Sequence, residues 1–359
     1  MKALVIGGTG PTGPHIVEGL KTRGYEVVLL HRGLHEDGAP ADVEHIHTDP
    51  YSSDALSEAL KGRHFDVALG LYGRVRAIGE AVRGHCDHLV CTSGIAVYRG
   101  MGDPASTSPT GMAVLAREDA PLVDPENGKP RLAAAIRRAE DSVLALGAAG
   151  EYRVSGVRYP QVYGPRNSIP WEWPVLKRLL DGRTRMIVPD DGLWIVSRCA
   201  ARNAAELVLA IVDNPDVAEG QYYNIADDEQ FTVRQLGELI AEAAGRSIDF
   251  IGVPSSIGRS AFDDFVAPGG RPHALVDISK ARRELGYQQV VSPRLALAET
   301  VAWLTANPVG HEQYPNYHPW LDYESEDRIL DAYLAAHDQL QTSLAKKEAV
   351  VVGPGELSH

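Results

Sequence analysis

Val5-Ile6-Gly7-Gly8-Thr9-Gly10-Pro11-Thr12-Gly13-Pro14 is the stretch on which the fold turns, with Gly7, Gly10 and Gly13 spaced G-x-x-G-x-x-G. It follows an apolar run, Leu4 to Ile6, and opens a helical pattern from His15 to Thr22. A strand that bends into a helix at a glycine triplet brings bare backbone close to a ligand. The first-turn N–H groups have no intrahelical partner and the helix dipole is positive there, so a diphosphate is the natural guest. Pro11 and Pro14 cost little, because the N–H that proline lacks is one of these orphans. A glycine triplet also makes a plain tight turn. Strand before and helix after favour dinucleotide binding, with Gly7, Thr9, Gly10, Pro11, Thr12 and Gly13 as the predicted contacts.

Working outward, short apolar runs recur at Val27–Leu30, Val43–Ile46, Val67–Leu69, Leu89–Cys91 and Val154–Tyr159. Runs of this length suit strands covered on both faces. Helical patterns lie between them at Ser53–Leu60, Val75–Val82 and Leu132–Leu146. The alternation predicts an α/β, Rossmann-type doubly wound parallel sheet. The stretch Arg99–Pro130, rich in Gly, Pro, Ser and Asp, reads as a surface excursion. Later come helices at Ala200–Val212 and Val233–Ala243, a strand at Tyr222–Ile225, and an acidic helix at Glu326–His337 followed by a fraying polar tail.

The second strand ends in Leu30-His31-Arg32-Gly33. NAD sites usually place an acid here for the ribose 2′-hydroxyl, whereas an arginine accommodates a 2′-phosphate. With His31 in the acid's position and Arg32 next, the reading is NADP, NAD being second; the blander alternative is that Arg32 is a solvated loop cation. Asp49, after the third strand, is either an adenine contact or a turn residue before Pro50. His45 and His47 are explained by strand alternation, and no metal is predicted.

Composition excludes several classes. Lys and Arg number 35 against 48 Asp and Glu, a net charge of −13 over 359 residues. Nucleic-acid binding is disfavoured, since it needs a cationic face. Cys86, Cys91 and Cys199 form no pair with disulfide-framework or zinc spacing, which predicts a reducing, cytoplasmic setting. No run reaches the roughly 18 apolar residues of a membrane span. Strand-like residues follow Met1 at once, so no signal peptide is expected.

Five stretches carry a family resemblance: GGTGPTG at 7–13, VCTSGIAVYRG at 90–100, VRYPQVYGPRN at 157–167, YYNIADDEQFTVRQLGELI at 222–240 and VDISKARRELGY at 276–287. Together they resemble the extended short-chain dehydrogenase/reductase superfamily, in its NAD-dependent epimerase/dehydratase branch, over residues 1–305. The resemblance implies a dinucleotide lobe over 1–165 with a return segment at 193–228. It implies a smaller α/β substrate lobe over 166–192 and 229–325, then a C-terminal helix and tail over 326–359. It adds Leu71, Thr92 and Tyr159 as cofactor contacts and a homodimer as a common assembly.

The chemistry of that superfamily uses a Ser or Thr and a Tyr-x-x-x-Lys pair, whose tyrosine hydroxyl is the general acid or base. None of the 14 tyrosines here has Lys four residues on. One register puts Asn127 and Arg131 at the two positions. The other, counted back from Arg158 through Glu140, puts Leu132 and Ile136 there; a separate count back from Val97-Tyr98 puts Gly94 at the Ser/Thr position, with Ser93 just before it. Ser93, Tyr98 and Tyr72 are the candidate replacements; Lys129, Arg131, Arg137 and Arg138 are cations near the missing Lys or simply solvated. Tyr163 would line the cleft, Arg158, Arg166 and Arg198 would face substrate, and Trp171 and Trp173 would wall it. Three readings compete. The first is an atypical NADP-dependent oxidoreductase or epimerase acting on a small carbonyl, hydroxyl or nucleotide-sugar compound. The second is a degenerate nucleotide-binding regulatory or RNA-binding protein, and the third a non-redox lyase or isomerase.

Overall fold

The computed structural model describes residues 1–33, 39–71, 74–128, 130–255, 257, 273–310 and 321–348. The first half alternates strand and helix: β1 (Lys2–Ile6), α1 (Gly13–Thr22), β2 (Glu26–His31), β3 (Glu44–His47), α2 (Ser53–Leu60), β4 (Phe65–Gly70), α3 (Val75–Ala81), β5 (Cys86–Gly94), α4 (Arg131–Ala148) and β6 (Arg153–Tyr159). The second half holds β7 (Gln161–Tyr163), α5 (Trp173–Leu180), β8 (Arg185–Pro189), β9 (Arg198–Ala200), α6 (Ala201–Asp213), α7 (Pro215–Ala218), β10 (Tyr222–Asn224), α8 (Val233–Ala243), β11 (Asp249–Val253), α9 (Ser279–Leu285), α10 (Pro293–Ala306) and α11 (Tyr323–Glu348).

Seven strands form one sheet in the order β10-β6-β5-β4-β1-β2-β3, every neighbouring pair parallel. Alternate side chains of each strand feed opposite faces. Ala3 and Val5 pack with α1, α6 and α9, while Leu4 and Ile6 pack with α2, α3 and α4. Burial on both faces is why the strands read as unbroken apolar runs. The strand order reverses at β1, so the glycine loop lies at the topological switch point, where such sheets take their ligands.

A second core gathers α5, α8 and α10 with Trp173, Trp194 and the strand β8. Beside it, β8 and β11 form a separate parallel pair. The first turns of α11 seal that pair: Leu330 is buried with Ile187 and Val253, and buried Glu326 accepts from Arg178 and from the Ile187 N–H. Thr232 caps α8 reciprocally with Gln235, which fixes where that helix starts.

The structure corrects two expectations, one on a loop and one on the last helix, and adds four short strands. The stretch Arg99–Pro130 is not merely superficial: Met112, Ala116 and Val123 are buried, and Ala116 bridges to Val276. The short strands β7, β8, β9 and β11 gave no periodic signal of their own. The terminal helix runs on to Glu348 rather than fraying after His337.

Candidate active site

The glycine loop meets the requirements of an anion cradle. Gly7 takes φ 106°, and its N–H donates to the Leu30 carbonyl at 2.9 Å, tying the loop to β2. A Cβ on Gly13 would lie 2.0 Å from the Gly8 carbonyl oxygen, so only glycine lets α1 pack this closely. At Gly10 a Cβ would meet no heavy atom within 4 Å, leaving space beside bare backbone. Thr12 makes no side-chain cap to α1, and no acid lies in its first turn. The Gly13 N–H turns back on the Gly10 carbonyl at 3.2 Å, and the helix N-terminus, left without a side-chain cap, fits a dinucleotide's diphosphate. Leu71 donates its N–H to the Ile6 carbonyl and packs beside the loop, and Thr92 Oγ1 donates to the Gly70 carbonyl.

At the far end of the crevice, His31 does not stand in for the usual acid. Its Nδ1 accepts the Gly33 N–H at 3.1 Å, so Nε2 carries the proton and donates to His45 Nδ1 at 2.8 Å. His45 Nε2–H then donates to the Pro40 carbonyl at 2.8 Å. His47 completes the cluster, its ring 4.9 Å from that of His31. Asp49 takes the turn role, its carboxylate accepting the Tyr51 N–H. Arg32 is exposed, with its guanidinium 5.3 Å from the Tyr51 ring centre; Arg74 approaches the same ring at 4.9 Å. Tyr51 and Arg74 gave no sequence signal, because only the fold brings them beside Arg32.

The carboxyl end of β5 carries a buried network. Ser93 Oγ donates to Glu140 Oε1 at 2.5 Å, and Arg158 grips Glu140 through two hydrogen bonds of 3.0 and 2.9 Å. Arg158 also donates to the Tyr98 hydroxyl, which donates to Asn224 Oδ1 at 2.7 Å. Tyr98 is 1% exposed, and burial pushes its hydroxyl above the ordinary tyrosine range against the pull of Arg158. This is the setting of a packing group rather than an acid, and Arg158 is spent on Glu140 rather than facing substrate. Ile136 lies 3.8 Å from where a Gly94 Cβ would sit, whereas Asn127 belongs to a turn capped by Asp124. The geometry therefore supports the register with Leu132, Ile136 and Gly94. Leu132 is exposed, as is Arg131; Arg137 pairs with Asp141 and Arg138 donates to the Pro125 carbonyl. Tyr72 and Lys129 lie outside the described residues.

Further along, Tyr163 is buried and donates to Asp227 at 2.7 Å, which ties β7 to the segment after β10. Burial pushes both groups above their usual ranges. Trp173 is core; Trp171 packs half-buried against it. Arg166 is half-buried at φ 64°, a conformation non-glycine residues seldom hold. Arg198 is buried 3.8 Å from Glu172, a residue that showed nothing unusual in the sequence. Tyr159 ends β6 with its hydroxyl buried beside Thr12.

Fold and glycine loop together define an α/β protein with a Rossmann-type parallel sheet, the architecture the five motifs implied. Residues 3–84 match the model of the NAD dependent epimerase/dehydratase family. Over 99% of its length the chain is 24% identical to 2′-dehydrokanamycin reductase of Streptomyces kanamyceticus, covering 93% of that protein. Among solved structures, UDP-glucose 4-epimerase of Thermotoga maritima, with UDP-glucose, superposes at a TM-score of 0.70 and 17% identity, over 86% of this chain and 99% of that one. The dTDP-glucose 4,6-dehydratase of Streptomyces venezuelae, with NAD and TYD bound, gives 0.66 and 21%, over 86% and 98%. No helix among the described residues is long and apolar enough to cross a membrane.

Proposed function

We propose that the protein is an NADP-dependent oxidoreductase that reduces or oxidises one carbon of a sugar, net reduction of a carbonyl being favoured over epimerisation. The observation that carries the reading is the open, uncapped cradle at Gly10 and the α1 N-terminus, at the switch point of the sheet. The bound nicotinamide would supply or accept hydride. Gly7 to Gly13 would hold the diphosphate. Arg32 and Arg74 flank Tyr51 where a 2′-phosphate and adenine would lie, which supports NADP although the dehydratase cited above was solved with NAD. Ser93 commits its proton to Glu140, leaving its lone pairs to accept from a substrate hydroxyl. The near full-length likeness to a reductase of an aminoglycoside supports a sugar carbonyl as the target. The same reading divides the chain into a dinucleotide lobe, 1–165 with 193–228, and a substrate lobe, 166–192 and 229–325. It keeps the protein in the cytoplasm, in accord with three free buried thiols.

A second reading is a nucleotide-loaded binding protein without turnover. It is favoured by Gly94, Leu132 and Ile136 at the positions of the usual acid–base set, a loss worth on the order of 10²–10⁴ in rate. Fluorescence titration with NADPH and NADH, then a screen for NADPH consumption with 2′-dehydrokanamycin, other keto-sugars and UDP-sugars, decides. Tight NADPH binding with no consumption selects the second reading, and binding of neither nucleotide removes the first.

A further inference from the structure

Between β7, β9 and the start of α5 lies a set of buried polar atoms with no hydrogen-bond partner among the described residues: Gln161 Oε1, both carboxylate oxygens of Glu172, and Arg198 Nη1. Gln161 and Arg198 are direct partners across the parallel β7–β9 pair, which sets their side chains on one face. Glu172 is 0% exposed and Arg198 6%, with 3.8 Å between them, too long for a hydrogen bond. Buried charges left with unmade hydrogen bonds are costly and seldom kept without a guest. Gln161 is half-buried as a residue, although its Oε1 is closed off like the other three atoms, and it follows directly on Tyr159 and Pro160 at the carboxyl end of β6.

We propose that Gln161, Glu172 and Arg198 form a subsite for hydroxyl and amino groups of a glycoside, and that the substrate is an amino sugar rather than a nucleoside diphosphate sugar. The inference rests on the oxidoreductase reading and names its substrate class. Three of the four open atoms are acceptors, which matches a ligand rich in O–H and N–H donors. The charges of Glu172 and Arg198 cancel, so the subsite offers no net attraction to a diphosphate, and the carboxylate repels one. Nor is either of the other buried arginines among the described residues a spare clamp: Arg158 is taken by Glu140 and Arg178 by Glu326.

The test is calorimetric titration of the full-length protein with kanamycin and, separately, with UDP. Wild type should bind kanamycin and ignore UDP. Glu172→Gln should weaken kanamycin about tenfold or more by removing a charged acceptor, and Gln161→Leu should weaken it less. Because Glu172 is buried, its variant is first checked by thermal melting, and half-buried Gln161 keeps the test alive if that variant fails to fold. Binding of UDP, no binding of kanamycin, or kanamycin affinity unchanged in the folded variants overturns the proposal. NADPH titration of the same samples separates the two claims. Retained NADPH affinity with an unaltered glycoside response removes the subsite alone, and wild type without NADPH affinity removes the oxidoreductase reading.

Discussion

Gly10→Ala and Gly13→Ala differ by one methyl in the same loop, yet the structure demands opposite outcomes. At Gly13 the new Cβ would sit 2.0 Å from the Gly8 carbonyl oxygen and 2.2 Å from its carbon, both backbone atoms that no rotamer can move. Helix α1 must back away from β1, loosening Ile16, Val17 and Leu20, each 0% exposed. Overpacking of this kind costs about 1–3 kcal/mol, and a backbone clash belongs at the upper end. At about 2–4 °C per kcal/mol, Tm should fall by about 6–12 °C. At Gly10 nothing lies within 4 Å, and the backbone is outside the left-handed region. The methyl should leave Tm unchanged within about 0.5 kcal/mol, or raise it slightly by restricting the unfolded chain. It would, however, occupy the space assigned to the diphosphate, lowering NADPH affinity about tenfold, equivalent to about 1.4 kcal/mol. Calorimetry without ligand and a fluorescence titration with NADPH measure the two quantities. Equal destabilisation by both variants, or full NADPH affinity in Gly10→Ala, refutes the division of labour between packing glycine and ligand glycine.

Four further outcomes follow from the same geometry. Arg32→Ala and Arg74→Ala should each weaken NADPH more than NADH in the same titration; equal losses would remove the assigned 2′-phosphate role. Glu140→Gln should destabilise by about 3–5 kcal/mol, because it leaves the Arg158 charge buried and poorly paired. Tyr98→Phe should cost about 1–3 kcal/mol in chemical denaturation and leave turnover per folded molecule intact; a hundredfold loss of kcat at unchanged stability would reinstate Tyr98 as the acid. Burial pulls the His88 imidazole down from 6.5 to about 4, its Nε2–H donating to Ser155. The native state therefore refuses a proton that the unfolded chain accepts, so this stability is present above about pH 6.5 and lost as pH falls toward 4. Between pH 7.5 and pH 5 His88 alone should remove about 2 kcal/mol. A His88→Asn variant that loses as much stability as wild type over that range would assign the acid sensitivity elsewhere.

The parallel sheet was legible because burial on both faces writes an unbroken apolar run at each strand, and helices such as Ser53–Leu60 and Val233–Ala243 carry clear 3.6-residue stripes. The glycine spacing likewise exposed the cradle. What stayed hidden depends on pairing across the chain. Strands β7 and β9 have three residues each, too few to show a period. Arg158 read as a substrate contact because an arginine in a sequence shows charge but not partner. Only the packed chain reveals Glu140 beside it. Tyr98 looked reactive for the same reason, since a hydroxyl's burial is invisible until its neighbours are placed.

The position of β10 has a consequence for how the molecule is made. This outermost strand joins β6 only after the chain has left the first lobe, laid down α5 and β8, and returned through β9 and α6. A nascent chain that has emerged only as far as Tyr159 therefore presents β6 as an open edge, with unpaired amides and carbonyls along Gly156–Arg158. Asn224, at the end of the arriving strand, also clasps the Ala116 and Asp277 carbonyls. Completion of the sheet and anchoring of the long loop after β5 thus become a single late event. A fragment ending near residue 165 should accordingly aggregate during synthesis rather than persist as an independent nucleotide-binding unit.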